Sequence, residues 1–148
     1  MVIYVIRHGE TDWNTKHWLQ GTTDIPLNRN GIEVAEITSE ALKGIPFDVI
    51  FSSPLKRAYQ TAEIMKRERQ IPLIVDERLK EISFGCFEGL CCTGPNYNIP
   101  NPDFPNFFQN PAHYNPPEGG ESIAELCVRG TDFLTWLIDR PEYQDKTV

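Results

Sequence analysis

The sequence predicts an α/β fold, a three-layer α/β/α sandwich, across its 148 residues. Two observations lead there. Short apolar, β-branched runs alternate with segments of helical periodicity, and most of the helical segments carry their own start signals. The length, with 40% apolar and 24% charged residues, fits one domain over 1–148.

Val2 to Ile6 is apolar throughout, as expected of a strand covered on both faces of a mostly parallel sheet, and it stops at Arg7 and His8. Asn28 is placed to cap a helix with Val34, Ile37 and Ala41 on its buried stripe and Gly44 at its end. Asp48 to Phe51 predicts a second strand. Ser53 then serves as N-cap and Pro54 as the first position of a helix reaching about Glu68, with Leu55, Ala58, Ala62 and Met65 inward. Pro72 to Val75 predicts a third strand. From Phe84 to Gly120 the chain is rich in Pro, Asn, Gly and aromatics without periodicity, which marks a lid or binding loop over about 84–120. Ser122 and Glu125 form a capping box for a last helix presenting Ile123, Leu126, Cys127, Leu134, Leu137 and Ile138. Asp145 to Val148 reads as the approach to another strand.

A net charge of -7 argues against a general nucleic-acid surface, so an anionic ligand must meet a local cationic pocket. No run approaches a membrane span, and the start lacks the pattern of a signal peptide, which makes a cytoplasmic protein the expectation. Cys86, Cys91, Cys92 and Cys127 lack Cys-x-x-Cys spacing, which suits reduced thiols and gives no paired-ligand pattern for zinc with His17 or His113.

In an open α/β sheet ligands bind beyond the carboxyl ends of the strands, where Arg7, His8, Gly9, Glu10 and Thr11 fall. A histidine beside an arginine, with a glycine permitting close backbone approach, suits an oxyanion pocket; a polar strand end with a solvated histidine fits the same residues. The second strand leads through Ser52 and Ser53 to a helix with Arg57 in its first turn, so a second guanidinium and a helix N-terminus face the same edge. Glu81 follows the third strand and, taken alone, is an ordinary solvated carboxylate.

Together these segments resemble the histidine phosphatase superfamily, also called phosphoglycerate mutase-like. Arg7 to Asn14 is similar to its Arg-His-Gly-Glu-Thr-x-Trp-Asn signature, and Leu27 to Gly31, Ser52 to Thr61, Leu79 to Leu90 and Pro117 to Ser122 agree in order. The resemblance implies a phosphoglycerate mutase-like fold with His8 as phosphoryl acceptor and Glu81 handling the leaving-group proton. Arg7, Arg57 and Asn14 would bind phosphoryl oxygens, and Gln20 and Gly21 would contact substrate. It implies no cofactor and no metal, since two guanidinium groups stabilise the charge and disfavour imidazolium. Glu81 would need burial under the loop to hold a proton at neutral pH.

The family also carries a second histidine on a strand lying beside the first. This sequence has no counterpart; its other histidines are His17 and His113. The expectation is therefore a C-terminally incomplete fold with a gap in its sheet, as a fragment, a truncated product, a cleaved piece or a chain completed by another chain. The oligomeric state is not readable.

The leading expectation is a metal-independent, histidine acid phosphatase-type phosphoric monoester hydrolase acting on a small phosphorylated metabolite. The compact loop is similar to that of small bacterial phosphatases resembling α-ribazole phosphatase. Its aromatics Phe107, Phe108 and Tyr114 either touch the non-phosphate part of the substrate or pack on one another. The alternatives are a phosphoglycerate mutase and an inactive phosphate-binding or regulatory module.

Overall fold

The computed structural model describes residues 1–148. Its regular sheet has two parallel strands, β1 (Ile50–Ser52) and β2 (Leu73–Val75), with Ile50, Phe51 and Ser52 opposite Leu73, Ile74 and Val75. A short helix α1 (Asp12–Thr15) and the longer α2 (Arg29–Ala41) precede them, and α3 (Lys56–Lys66) makes the crossover and packs on α2. Beyond β2, the chain forms 3₁₀ turns and the single-turn α4 (Asn106–Gln109), then α5 (Ile123–Ile138).

Asn28 caps α2 as expected, its side chain accepting from Gly31 N at 2.8 Å. The buried face differs from the expected stripe. Gly31, Ala35 and Ser39 are buried, whereas Val34 and Ile37 stand exposed and Ile37 is 63% open to solvent. Small residues let α2 lie close to its neighbours: a Cβ on Gly31 would sit 2.1 Å from Glu10 O, and Ser39 Oγ donates to Ile64 O at 3.0 Å. Helix α2 ends at Ala41 before reaching Gly44, with Leu42 as its cap.

Helix α3 also starts later than predicted. Leu55 occupies the cap position without a side-chain hydrogen bond, because Ser53 Oγ accepts from Leu55 N at 3.4 Å within the preceding turn. The chain leaves the helix at Arg67, whose φ of 41° stops it before Glu68. The inward stripe of Leu55, Ala62 and Met65 is buried, joined by Arg57 and Thr61.

The first predicted strand does not form as such. Val2 N donates to Lys146 O, Val148 N to Val2 O and Tyr4 N to Val148 O, each at 2.8 Å, while Asp48 N donates to Thr147 O at 2.9 Å. Residues 146–148 thus lie between the opening segment and the approach to β1. Residues 5–8 make no backbone–backbone hydrogen bond, and Val5 is 93% exposed. A strand needs ladder partners, and residues 5–8 have none. A cleft of about 410 Å³ runs from Val148 past Ile6 and Phe51 to His8.

Residues 84–120 form a packed body rather than a loose lid. Leu19, Ile82, Phe84, Phe87, Ile99, Phe104 and Tyr114 make a buried cluster. Phe107 meets Phe84 at 5.0 Å and Tyr114 at 5.1 Å, so these loop aromatics pack on one another, while Phe108 stands 64% exposed. The capping box of α5 is present, Ser122 and Glu125 bonding reciprocally. Of its expected apolar face only Leu137 is buried, because the two-stranded sheet covers little of the helix; Leu134 and Ile138 are exposed.

Candidate active site

The signature segment is held by its own residues. Glu10 Oε1 accepts from the side-chain amides of Asn28 at 2.9 Å and Asn30 at 3.1 Å, tying it to the start of α2. Gly9 is required by backbone proximity, since a Cβ there would lie 2.4 Å from Gly31 O. Gly9 N donates to Thr61 Oγ1 at 3.1 Å, and Thr61 Oγ1 donates to Arg57 O at 2.8 Å, so one threonine links the signature to α3.

His8 Nδ1 lies 2.7 Å from Gly9 O, and a carbonyl accepts only from a protonated nitrogen. That places the ring proton on Nδ1 and leaves the lone pair on Nε2, which accepts from Arg57 Nε at 3.2 Å. Partial burial is the main force pushing the imidazole pKa below its ordinary value of 6.5; Arg57 and Arg7 add to it, while the Gly9 bond and Glu81 oppose it. The neutral ring, with its lone pair on Nε2, is the form competent to attack an electrophile once the Arg57 Nε–H turns from it to a ligand oxygen.

Arg57 is 1% exposed and forms no ion pair. Its Nη1 donates to Thr23 O at 3.0 Å and its Nη2 to Gly21 O at 2.7 Å. Burial lowers its pKa, and a guanidinium in a protein keeps its charge. Carbonyls hold the group in place without neutralising it, so the positive charge stays available to a ligand. Arg7, exposed and likewise without an ion pair, lines the same cleft as His8, Arg57 and Glu81.

The loop carrying those two carbonyls depends on Glu88, a residue within the recognised Leu79–Leu90 block but without an assigned role. Its carboxylate accepts from Thr22 N and Thr23 N at 2.8 Å, from Phe84 N at 3.0 Å and from both threonine hydroxyls. Burial alone would raise its pKa, yet these hydrogen bonds outweigh it and hold the carboxyl below the usual range. Gly21 stands at φ 51°, and a Cβ there would reach 2.1 Å from Glu88 Oε1.

The remaining expected site residues fall differently. Asn14 Oδ1 accepts from Thr11 N at 3.0 Å in the cap of α1, which leaves its amide nitrogen for a ligand. Gln20 Oε1 is taken by Thr11 Oγ1 at 2.8 Å. Glu81 is exposed on the cleft wall, its Oε1 accepting from Ile82 N at 3.0 Å, and the 84–120 body does not cover it as expected. The N-terminus of α3 is partly occupied, because Asp24 accepts from Lys56 N at 2.7 Å. His17 and His113 are exposed and do not line the cleft. Next to Glu81 a second cavity of about 370 Å³ has no hydrophobic side chain in its wall, where Thr22, Ser83, Lys80 and Arg129 stand among Glu77, Glu81, Glu121 and Glu125.

Residues 3–148 match the histidine phosphatase superfamily (branch 1). Over 104 residues the chain is 40% identical to the uncharacterized phosphatase PhoE of Bacillus subtilis (strain 168), covering 70% of this chain and 54% of that protein. It is 30% identical over 147 residues to the adenosylcobalamin/alpha-ribazole phosphatase of Escherichia coli (strain K12), covering 98% of this chain and 70% of that one. The solved structure of Bacillus stearothermophilus YhfR superposes with a TM-score of 0.86 at 36% identity, covering 99% of this chain and 70% of that one. The chain thus spans about half the length of the Bacillus subtilis relative. Its fold is the phosphoglycerate mutase-like α/β fold. No helix is long and apolar enough to cross a membrane.

Proposed function

Because the chain belongs to the histidine phosphatase superfamily (branch 1), we propose that it transfers the phosphoryl group of a small phosphomonoester to His8 Nε2 and releases it to water. The observation that carries this is the pairing of an unprotonated Nε2 with a buried guanidinium free of any carboxylate partner. Such a pair binds a phosphoryl oxygen beside the attacking atom, which supplies the positioning and charge stabilisation that phosphoryl transfer needs.

In the first step Nε2 attacks phosphorus, the ester P–O bond breaks, and the alcohol oxygen takes a proton from Glu81, whose carboxyl the bound substrate must cover for it to hold that proton. In the second, water attacks the phosphohistidine, giving its proton to Glu81 and returning the electron pair of the P–N bond to Nε2. Arg57 and Arg7 hold the transferring group throughout. The cavity beside Glu81, which has no hydrophobic side chain in its wall, supports a leaving group rich in hydroxyl or amine groups, hence a small polar metabolite.

The test is incubation with a phosphomonoester labelled in phosphorus, quenched in alkaline denaturant and mapped by peptide, beside His8→Ala. Acid-labile label on the peptide containing His8, absent from the variant, is expected. A folded chain that binds orthophosphate yet takes up no label overturns the catalytic proposal in favour of a phosphate-binding module. Isomerisation of 3-phosphoglycerate without phosphate release overturns it in favour of a mutase.

A further inference from the structure

We infer that Arg129 is a positioning residue for Glu81, an inference that rests on the proton-transfer role proposed above. Arg129 lies near the middle of α5 with its side chain largely buried. Its Nη1 donates to Arg78 O at 2.7 Å and to Lys80 O at 2.6 Å, gripping the backbone immediately before Glu81. The other edge of the guanidinium forms a two-pronged pair with Glu121, Nε to Oε1 at 2.6 Å and Nη2 to Oε2 at 2.8 Å. Glu121 N in turn donates to Ser83 O at 2.9 Å. The segment from Arg78 to Ser83 is therefore held from both sides of Glu81 through one side chain and its partner.

This linkage matters because Glu81 has no covering structure of its own. It is exposed, and its one hydrogen bond is to the neighbouring amide of Ile82. Nothing that packs on the carboxylate fixes its place at the cleft, so the backbone beneath it must do so. A planar fork satisfies two carbonyls and a carboxylate at once; an ammonium has the charge but not the geometry. Arg129 also borders the polar cavity beside Glu81, so its loss alters the wall against which a leaving group rests.

The test compares Arg129→Lys, Glu81→Gln and the double variant on p-nitrophenyl phosphate, whose phenolate leaves without help, and on β-glycerophosphate, whose alkoxide needs a proton. Arg129→Lys is expected to lower kcat on β-glycerophosphate by about tenfold or more, with a clearly smaller loss on p-nitrophenyl phosphate and little change in KM. Glu81→Gln should show the same asymmetry, and the double variant should be no worse than Glu81→Gln alone on β-glycerophosphate. Equal losses on both substrates from Arg129→Lys, or additive losses in the double variant, overturn the inference while leaving Glu81's role intact. Equal losses from Glu81→Gln overturn that role and the inference with it. Should Arg129→Lys not fold, Glu121→Gln, which frees one edge of the guanidinium, is expected to give the same asymmetry at smaller size, and its absence likewise counts against the inference.

Discussion

Replacing Arg57 by methionine removes the buried charge while keeping an unbranched chain of similar length. A guanidinium has five N–H donors. Three are spent on His8 Nε2, Thr23 O and Gly21 O, which leaves two for a bound anion. Each charge-assisted hydrogen bond to an oxyanion contributes about 1.5–3 kcal/mol, so two contribute about 3–6 kcal/mol, or roughly a hundredfold to ten-thousandfold in affinity. The fold itself changes less, because two opposing effects partly cancel. Orphaning the carbonyls of Gly21 and Thr23 costs about 1–3 kcal/mol each, while removing an unpaired buried cation relieves several kcal/mol of desolvation. Isothermal titration with orthophosphate and orthovanadate reads the affinity, and circular dichroism establishes that the variant is folded. A folded Arg57→Met that binds either anion within about fivefold of the parent would refute the assignment of Arg57 as the main anion-holding group.

Three other outcomes follow from the same geometry. The imidazole of His8 has its folded pKa below 6.5, so the native state takes up its proton less readily than the unfolded chain; stability should fall as pH drops through 6.5 and level off below the folded pKa. Urea unfolding across that range, with His8→Gln as a control that flattens the dependence, checks the sign. Glu88→Gln should destabilise the chain by about 2–4 kcal/mol at neutral pH and weaken phosphate binding, since amide nitrogen cannot accept from Thr23 or Phe84 N–H. The parent's advantage over that variant should shrink as pH falls below the ordinary glutamate range, because the carboxyl is held low in the fold. Val5→Lys should change the free energy of unfolding by no more than about 0.5 kcal/mol, since the side chain is 93% exposed, and a loss above about 1.5 kcal/mol would show that Val5 is buried in solution.

Much of the site was legible in the sequence because its chemistry sits in contiguous motifs. His8 beside Arg7, and Arg57 just after a strand, converge on one cleft as expected. What the sequence did not disclose are the groups that hold those residues. Thr61 and Glu88 act on backbone amides, and Gly21 and Thr23 act through their carbonyls, so no side-chain type advertises the role. Asn14 and Gln20 are held in the same way, each spending its side-chain oxygen on Thr11 and leaving its amide nitrogen open to an anion. Among the helices, cap signals located α2 and α5, since a cap depends on neighbours in sequence. Buried faces were misjudged where they depend on what lies opposite. Val34 and Ile37 carry the apolar periodicity of α2, but close packing on small residues turns them outward.

The electrostatics of the cleft explain how a chain with a net charge of -7 can present an anion site. A carboxylate beside Arg57 would stabilise its burial but would also occupy the bond directions and charge that a phosphate needs. Here the carboxylate is one step removed. Glu88 orders residues 22 and 23 by accepting their amides, and the carbonyls of Gly21 and Thr23 then hold Arg57. The same removal keeps His8 neutral, because a carboxylate in contact with it would favour imidazolium, whereas Gly9 O fixes the tautomer with a neutral partner. Glu81, whose charge opposes the lowering of the His8 pKa, is kept on the cleft wall, where its place is set by a backbone gripped from α5. Neutral acceptors touch the reactive groups and charged ones stand behind them, and this ordering keeps a buried cation and an unprotonated imidazole side by side.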